Sequence, residues 1–168
     1  MALHFEASVI AKCKPEHVWR KFESLQQWGW WNSIVGQTRW LEGQPWRKGS
    51  RFLMELVRPK RLTMKPLILE AEPPNKVGWV GTTTGFRGEH WFSFEAQADG
   101  TTLIKTWEDS SGWATMFFGS GFRQKLQSMH EEWLQNLKAE AEKIAREETA
   151  RQPAPAASSL PVIHQPKA

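Results

Sequence analysis

The order of the predicted elements constrains this chain more than any single motif does. From Gly36 to Asp109 the sequence consists of short β-runs separated by Gly, Pro and one Asp-Gly pair, and from about Phe117 to Arg146 it has the period of a helix. One amphipathic helix facing one sheet has a single large apolar surface to cover, so the fit between them decides whether a cavity remains. The helix carries a large or apolar residue every three or four positions: Phe118, Phe122, Leu126, Met129, Trp133, Leu137, Ala141 and Ile144.

The segment before these strands predicts one more strand and two short helices. Phe5 to Lys12 alternates apolar and polar residues, which is typical of a half-buried strand. Pro15 suits the first position of a short helix, and Leu25 to Trp31 predicts a second helical piece. The full predicted order is therefore strand, two short helices, six strands and one long helix.

Two features of the strand region bear on where side chains point. In Leu62 to Glu72 the apolar positions change parity at Pro66, which predicts a bulge on or near a sheet edge. Asp99-Gly100 separates the strands Phe86 to Ala98 and Thr101 to Asp109 and predicts a tight hairpin between them.

Composition predicts one globular domain over residues 1–150 and a tail over residues 151–168. The 168 residues are 40% hydrophobic and 24% charged, and after Arg151 the chain turns to RQPAPAASSLPVIHQPKA, which predicts a disordered Pro/Ala-rich segment. A single cysteine, Cys13, excludes an internal disulfide. The first residues lack the pattern of a secretory signal, and no apolar run approaches the ~20 residues of a membrane span. We therefore expect a cytoplasmic protein without stable membrane insertion.

The charge and the aromatic content narrow the possible partners. The net charge is +4, but no nucleic-acid-binding motif accompanies the basic residues, so we expect solvated charges and no nucleic-acid partner. Eleven Trp, nine Phe and no Tyr are present. Trp is too bulky to fill many core gaps, so the chain either exposes some of these rings or arranges them around a space. The basic residues cluster in one region: Arg47, Lys48, Arg51, Arg58, Lys60, Arg61 and Lys65.

Three motifs resemble the START-like superfamily called SRPBCC, which includes polyketide cyclases and dehydrases, lipid-transfer domains and the birch-pollen allergen. They are Gly88-Glu89-His90-x-Phe92-x-Phe94, Gly100-Thr101-x-Leu103 followed by Glu108, and Pro15-x-x-Val18-Trp19-x-x-Phe22. The resemblance covers roughly residues 3 to 146. It implies an α+β helix-grip fold, in which a seven-stranded curved antiparallel sheet wraps around a long C-terminal helix, with two short helices after the first strand. It also implies a ligand cavity between sheet and helix, but not the chemistry performed there.

His90 is the candidate polar residue of that cavity. Strand alternation places His90 on one face with Phe92 and Phe94, and its neighbour Glu89 on the other, so His90 should point inward and Glu89 cannot pair with it.

The acid opposite His90 depends on the hairpin loop. A two-residue turn at Asp99-Gly100 would set His90 against Asp109, whereas a three-residue loop with a bulge would set it against Glu108. Either acid could orient the imidazole, and the candidate catalytic residues are therefore His90, Asp109 and Glu108.

A set of apolar residues is expected to line the cavity with His90. Such a stripe is more often plain core than ligand site, but the resemblance favours a pocket. The glycines in Ser110 to Trp113 and Gly119 to Gly121 should let the start of the terminal helix move, which places the entrance there. The predicted ligand-binding set is Trp31, Phe52, Met54, Trp79, His90, Phe92, Trp107, Phe122, Leu126 and Met129.

Nothing in the sequence indicates a covalent nucleophile, a metal or a cofactor. No Gly-x-Ser-x-Gly motif is present, and Cys13 lies at the far end of the first strand. The other histidines show no metal-ligand spacing with acids on a common face: His4, His17, His130 and His164.

Three functions fit these observations. The first is a cytoplasmic binding or transport protein for a hydrophobic small molecule or lipid held in an internal cavity. The second is a polyketide cyclase-, dehydratase- or hydrolase-like enzyme that uses the inward His90 and its acid. The third is a protein-interaction module of the co-chaperone kind, which would dock an unknown partner through exposed Trp residues.

Overall fold

A computed structural model of the protein describes residues 2–151. The predicted tail lies outside this range except for Arg151, the last residue of the terminal helix, so its disorder and the domain boundary at residue 150 stay predictions. Within residues 2–151 the elements run in the following order: β1 (Leu3–Ala11), α1 (Pro15–Glu23), a 3-10 turn (Leu25–Gln27), α2 (Trp28–Trp31), β2 (Val35–Glu42), β3 (Arg51–Leu56), β4 (Leu62–Met64), β5 (Leu67–Glu72), β6 (Lys76–Thr83), β7 (Phe86–Ala96), β8 (Thr102–Ser111), a 3-10 helix (Trp113–Phe117) and α3 (Ser120–Arg151).

The strands form one antiparallel sheet in the order β1-β8-β7-β6-β5-β3-β2, and the short β4 pairs with β3 beside this path. The helix α3 packs against β1, α1 and β8. The predicted α+β helix-grip fold is therefore confirmed: seven strands form the continuous path, two short helices follow the first strand, and one long helix closes the fold.

The predicted strand Leu62 to Glu72 is divided at Pro66 into β4 and β5. Proline has no N–H to donate to a ladder, and here its carbonyl accepts a hydrogen bond from Phe52 N at 3.2 Å. β4 pairs with β3, whereas β5 pairs mainly with β6, so the chain changes partners at this point. The expected bulge is thus a complete break between two strands.

The β7–β8 hairpin has a three-residue loop over residues 98–100. Gln97 N donates to Thr101 O at 2.9 Å, and Gly100 takes a φ of +82°, which glycine adopts without strain. This loop pairs His90 with Glu108 and Trp91 with Trp107. The alternative register, with His90 opposite Asp109, is wrong because the loop contains one residue more than a two-residue turn.

The helix α3 divides into two halves by burial. None of its residues before His130 is buried, and Phe122, Leu126 and Met129 are only half-buried. From His130 onward it packs closely, because β1 and α1 lie beneath it. No helix within residues 2–151 combines the length and the apolar character needed to cross a membrane. The buried residues of α3 are His130, Trp133, Leu134, Leu137 and Ala141.

Aromatic rings fill the part of the interior beneath α1 and α2. Phe22 lies at the centre of this aromatic cluster, 4.9 Å from the ring of Phe92 and 5.0 Å from that of Trp28. The indole of Trp28 donates to Phe22 O at 2.7 Å, so its polar atom is satisfied within the core. The cluster comprises Trp19, Phe22, Trp28, Trp46, Phe52, Trp79, Phe92 and Phe94.

Candidate functional site

A cavity of about 320 Å³ lies between the inner face of the sheet and the first half of α3. Its size is within the range of small-molecule sites, and most of its lining side chains are apolar. Strands β3, β4, β6, β7 and β8 contribute the floor, and α3 contributes the roof. The residues of the apolar wall are Ile34, Met54, Leu56, Leu62, Met64, Trp79, Phe86, Phe118, Phe122, Leu126, Met129 and Trp133.

The cavity exists because the tryptophans are distributed unevenly. The aromatic cluster fills the inner space under α1 and α2, and Trp79 forms the boundary between that cluster and the cavity. Beyond Trp79 the floor carries smaller or more flexible residues, including Met54, Met64 and Gly81. The space that remains is covered by the loosely packed half of α3.

The structure places six of the ten predicted ligand-binding residues on the cavity wall: Met54, Trp79, His90, Phe122, Leu126 and Met129. Their contact with a ligand stays a prediction.

Three further predicted residues belong to the packed interior rather than to the cavity wall. Phe52 and Phe92 are completely buried in the aromatic cluster, where each contacts Trp79 at ring distances of 5.6 and 5.5 Å. Trp31 packs against the core near Lys21, whose Nζ lies 6.0 Å from its ring. Phe52 and Phe92 point inward, where close neighbours surround them, whereas Trp31 is only half-buried, and none of the three lines the cavity.

Trp107 and Asp109 lie on the outer face of the sheet, so their predicted place in the pocket is wrong. Trp107 stacks on Trp91 with ring centroids 6.1 Å apart and ring planes 9° apart. Asp109 accepts a hydrogen bond from His4 at 2.8 Å. The three-residue hairpin loop explains both errors, since a shift of one residue moves every side chain of β8 to the opposite face.

The inner end of the cavity is polar and is formed by His90, Glu108 and His130. Nδ1 of His90 lies 3.7 Å from Oε2 of Glu108, and Nε2 of His130 lies 3.5 Å from the same oxygen. All three side chains line the cavity and come from different elements: β7, β8 and α3. We call this group the His-Glu-His cluster.

Hydrogen bonds on the far side of each ring hold the two imidazoles in place. Nε2 of His90 lies 2.7 Å from Oγ1 of Thr106, and the Thr106 hydroxyl donates to Trp91 O at 3.0 Å. Nδ1 of His130 donates to Leu126 O at 2.8 Å. The second carboxylate oxygen of Glu108 accepts a hydrogen bond from Ser110 at 2.6 Å.

Burial and mutual proximity shift the pKa values in the cluster. Burial lowers the pKa of His90 to about 3, with His130 acting in the same direction and Glu108 opposing it. Burial alone would raise the pKa of Glu108, but His130, His90 and the Ser110 hydroxyl outweigh it and lower that pKa to about 2. Burial therefore keeps His90 neutral near pH 7, while the neighbours of Glu108 keep it ionised.

The sequence did not predict His130 as a site residue. The expectation that it has no acid on a common face is wrong, because its Nε2 lies 3.5 Å from Glu108. It packs between Phe5, 5.8 Å from its ring, and His90, 5.0 Å from it. Its place on the inner face of α3 follows from the helical period, because it lies four residues after Leu126 and three before Trp133. His4 and His17 also pair with acids, Asp109 and Glu148, through contacts that sequence spacing does not show, whereas His164 lies outside the described residues.

Trp133 adds an unused donor to the cavity wall. Its indole N–H is buried and finds no hydrogen-bond partner among residues 2–151. Buried donors are usually satisfied, because an unpaired one costs about 1–3 kcal/mol. An acceptor atom of a bound molecule would remove this cost.

The loop Arg58–Arg61 and the residues Ala114 and Phe118 contribute to the cavity lining. Their chain neighbours Trp113 and Phe117 are 60% and 76% exposed, which is unusual for such large apolar side chains. We expect the mouth of the cavity on this side, which combines cationic and aromatic groups.

Helix-grip topology, together with a cavity between sheet and terminal helix, is the architecture of a START-like protein. The family model for polyketide cyclase / dehydrase and lipid transport matches residues 2–142. The chain belongs to this family, whose members include ligand-binding proteins and polyketide-cyclase-type proteins. A search of curated proteins found no significant match.

Solved structures support the same fold at low sequence identity. A hypothetical protein, jhp0584, from Helicobacter pylori is 17% identical with a TM-score of 0.73, covering 83% of this chain and 88% of that one. The ZhuI aromatase/cyclase from Streptomyces sp. R1128 is 14% identical with a TM-score of 0.70, covering 87% and 97%. A START superfamily protein from Mycobacterium smegmatis is 12% identical with a TM-score of 0.63, covering 86% and 97%. At these identities the likeness shows the fold alone.

Proposed function

We propose that the protein binds and transports a hydrophobic small molecule or lipid in the cavity between the sheet and α3. The observation that carries this proposal is the cavity itself: about 320 Å³ lined mainly by apolar side chains, with one polar end. Such a space is costly to leave empty, because its lining loses contacts that a packed core would make. A bound apolar molecule would restore them.

The polar end indicates which apolar molecule fits. The unpaired indole N–H of Trp133 requires an acceptor, and the His-Glu-His cluster lies on the same wall. The preferred ligand is therefore a mainly apolar molecule with an oxygen atom, such as a hydroxyl or carbonyl group, at one end. It would enter with this end first and leave its apolar part beneath Phe122, Leu126 and Met129.

A cytoplasmic location is part of the proposal. Cys13 is buried and unpaired, as is common where thiols stay reduced.

Native mass spectrometry of freshly purified protein tests the proposal directly. The expected result is a co-purified molecule, and in its absence a panel of sterols, fatty acids, flavonoids and aromatic polyketides is screened by thermal shift. A ligand at a hundred times its Kd stabilises the fold by ~2.7 kcal/mol, which for a domain of this size raises Tm by roughly 5–10 °C. A protein that carries nothing and responds to no member of the panel would contradict the proposal.

A matched pair of variants shows whether binding occurs in the cavity. Leu126→Trp fills the space beneath α3, so the ligand should be lost while the fold is kept, because the side chain enters an existing void. Lys125→Trp adds the same ring at the neighbouring exposed position and should leave binding unchanged. Equal effects of the two variants would place the ligand elsewhere.

A second candidate function is an enzyme of the cyclase or dehydratase type. The specific observation in its favour is the His-Glu-His cluster at the inner end of the cavity, which sets two imidazoles and a carboxylate beside any bound molecule. The structural neighbour ZhuI is an aromatase/cyclase. His90→Ala separates the candidates: an enzyme loses turnover of a candidate polyketide with little loss of binding, whereas a carrier has no turnover to lose.

A further inference from the structure

Three ligand-type atoms converge at the inner end of the cavity without a hydrogen bond between them. Nδ1 of His90, Nε2 of His130 and one carboxylate oxygen of Glu108 all lie within 4.8 Å of one another. The distances to the carboxylate oxygen, 3.7 and 3.5 Å, exceed the 2.7–3.2 Å of an N–H···O hydrogen bond. Both contacts are therefore at ion-pair distance rather than at hydrogen-bond distance.

The far-side hydrogen bonds decide which nitrogen of each ring carries its proton. The Thr106 hydroxyl gives its single proton to Trp91 O, so it accepts from His90, and Nε2 of His90 carries the proton. The free lone pair of His90 is then on Nδ1, the atom that faces Glu108.

The same argument applies to His130. A carbonyl oxygen only accepts, so Nδ1 of His130, which contacts Leu126 O at 2.8 Å, carries the proton. In the neutral ring the lone pair is on Nε2, and this buried atom has no hydrogen-bond partner among residues 2–151. His130 is 7% exposed, so water cannot readily solvate that atom. With both rings neutral, as metal binding requires, the cluster directs two nitrogen lone pairs and a carboxylate oxygen at one place.

We infer that His90, Glu108 and His130 are the ligands of a divalent transition-metal cation, such as Zn²⁺, Co²⁺ or Fe²⁺. Two imidazoles and one carboxylate form a donor set that suits these metals rather than Ca²⁺ or Mg²⁺, which prefer oxygen ligands. The cation neutralises the carboxylate and gives each unused lone pair a partner. This site does not depend on the cavity taking an organic ligand.

The surroundings of the cluster have the features of an outer coordination shell. Metal-binding histidines almost always donate their other ring N–H to a carboxylate, a carbonyl or a water, which fixes the ring and its tautomer. Here the Thr106 hydroxyl and Leu126 O take that role, and Ser110 holds the second oxygen of Glu108. Every ligand is therefore oriented by a further group.

The spacing requires only a small closing movement. Metal–nitrogen bonds of about 2.0–2.1 Å in a tetrahedral site separate neighbouring ligand atoms by about 3.4 Å. The two nitrogen–oxygen distances are 3.7 and 3.5 Å. The two nitrogens lie within 4.8 Å of each other, so a shift of roughly 1 Å completes the geometry. The protein supplies three ligands, so the remaining coordination positions of the cation face the cavity.

A cobalt titration of the full-length, untagged protein tests this inference. After chelator treatment and dialysis, Co²⁺ is added, and the expected result is saturable binding of one ion per chain with the visible absorption of four- or five-coordinate cobalt. Zn²⁺ should displace it, as followed by the loss of that absorption. If Co²⁺ does not bind at one ion per chain, the inference is overturned. A proton shared between Glu108 and a histidine would then explain the cluster.

Variants distinguish this cluster from other histidines. Glu108→Gln and His130→Gln should abolish one-to-one binding. Thr106→Val, which removes the outer-shell contact to His90 together with the hydrogen bond to Trp91 O, should weaken it roughly 10–100-fold. His17→Gln and His4→Gln, which disrupt surface histidine–carboxylate pairs, should leave it unchanged. Loss of binding in His4→Gln alone would show a surface site and overturn the inference.

A measurement on the unmodified protein avoids dependence on variants that fail to fold. In NMR spectra of the histidine side chains, Zn²⁺ should change the shifts of Nδ1 of His90 and Nε2 of His130, the atoms that face Glu108. Larger changes at the opposite nitrogen of either ring than at the facing one, or changes at His17, would contradict the assignment.

Discussion

His90 and Glu108 face each other across the β7–β8 pair, and the two atoms that meet there, Nδ1 and Oε2, both present lone pairs at a separation of 3.7 Å. The same carboxylate oxygen lies 3.5 Å from Nε2 of His130. His130, His90 and the Ser110 hydroxyl lower the pKa of Glu108 to about 2, so the ionised carboxylate stabilises the metal-free fold at neutral pH and loses this effect as the pH falls toward 2.

Glu108→Gln should therefore destabilise the metal-free protein. The amide keeps the acceptor that Ser110 uses, but it removes a carboxylate whose ionised form is stabilised in the fold, since its pKa is lowered to about 2. The free energy of unfolding should fall by about 1–3 kcal/mol, measured by urea denaturation at pH 7 in the presence of a chelator. An unchanged or higher stability would show that both imidazoles present only lone pairs to Glu108.

The control for this prediction is Asp109→Asn. Asp109 is the neighbouring acid, but it lies on the outer face, where it pairs with the half-exposed His4. Exposed pairs contribute little, so the free energy of unfolding should change by less than about 0.5 kcal/mol.

The direction of His90 could be predicted from the sequence, because alternation along one strand fixes its face. Its partner could not, because the choice between Glu108 and Asp109 depends on a single residue of loop length. The position of His130 on α3 follows from the helical period, but its contact with β8 depends on how the helix lies across the sheet. Long-range packing therefore completes the cluster.

The distinction between core and cavity wall could not be predicted either. Phe92 and His90 share one face of β7, yet Phe92 packs completely and His90 lines the cavity. Both positions have the same pattern in the sequence. The difference arises from α1, whose Phe22 packs against Phe92, whereas Trp133 contacts both rings.

Replacement of Phe92 and of Met129 should separate these two environments. Phe92→Ala removes a completely buried ring from the aromatic cluster and should cost about 3–5 kcal/mol of unfolding free energy. Met129→Ala removes a half-buried side chain that already borders empty space and should cost below about 2 kcal/mol. Urea denaturation measures both, and equal losses would mean that α3 packs tightly over the cavity.

The hairpin loop that sets the register depends on Gly100. Its φ is +82°, and an added Cβ would meet no atom within 4 Å, so any cost of substitution comes from backbone strain rather than from a clash. Gly100→Ala should lower the free energy of unfolding by about 1–2 kcal/mol. Gly100→Asn should cost clearly less, because asparagine tolerates this conformation. If both variants cost the same, the loop does not adopt the three-residue form.

Cys13 should react slowly with alkylating reagents in the folded protein. Burial raises the pKa of its thiol to about 11, with Glu142 acting in the same direction, so at pH 8 the reactive thiolate is about a hundredfold scarcer than for a thiol of pKa 9.0. Iodoacetamide labelling followed by mass spectrometry should show slow modification that rises on unfolding in urea. Because the folded pKa is raised, the thiol stabilises the fold below its ordinary pKa and loses this effect as pH rises toward 11.

Gly119 and Gly121 provide the test of the cavity mouth. Neither has a positive φ, and an added Cβ at either position meets no atom within 4 Å, so alanine fits without strain. Gly121→Ala should stabilise the start of α3 by up to about 1 kcal/mol, because alanine restricts the unfolded backbone more than glycine does. Gly119→Ala should add no stability, because the Gly119 carbonyl accepts the first helical hydrogen bonds and alanine is disfavoured at this N-cap position. If this end of the helix must move to admit a ligand, the double variant with both substitutions should bind a hydrophobic fluorescent probe several-fold more slowly in stopped flow, although its cavity-wall residues are unchanged.

Ser120→Ala changes the same segment but keeps both glycines, so its association rate should equal that of the unmodified protein. An unchanged rate in the double variant would show that the ligand enters past the loop Arg58–Arg61 without movement of α3.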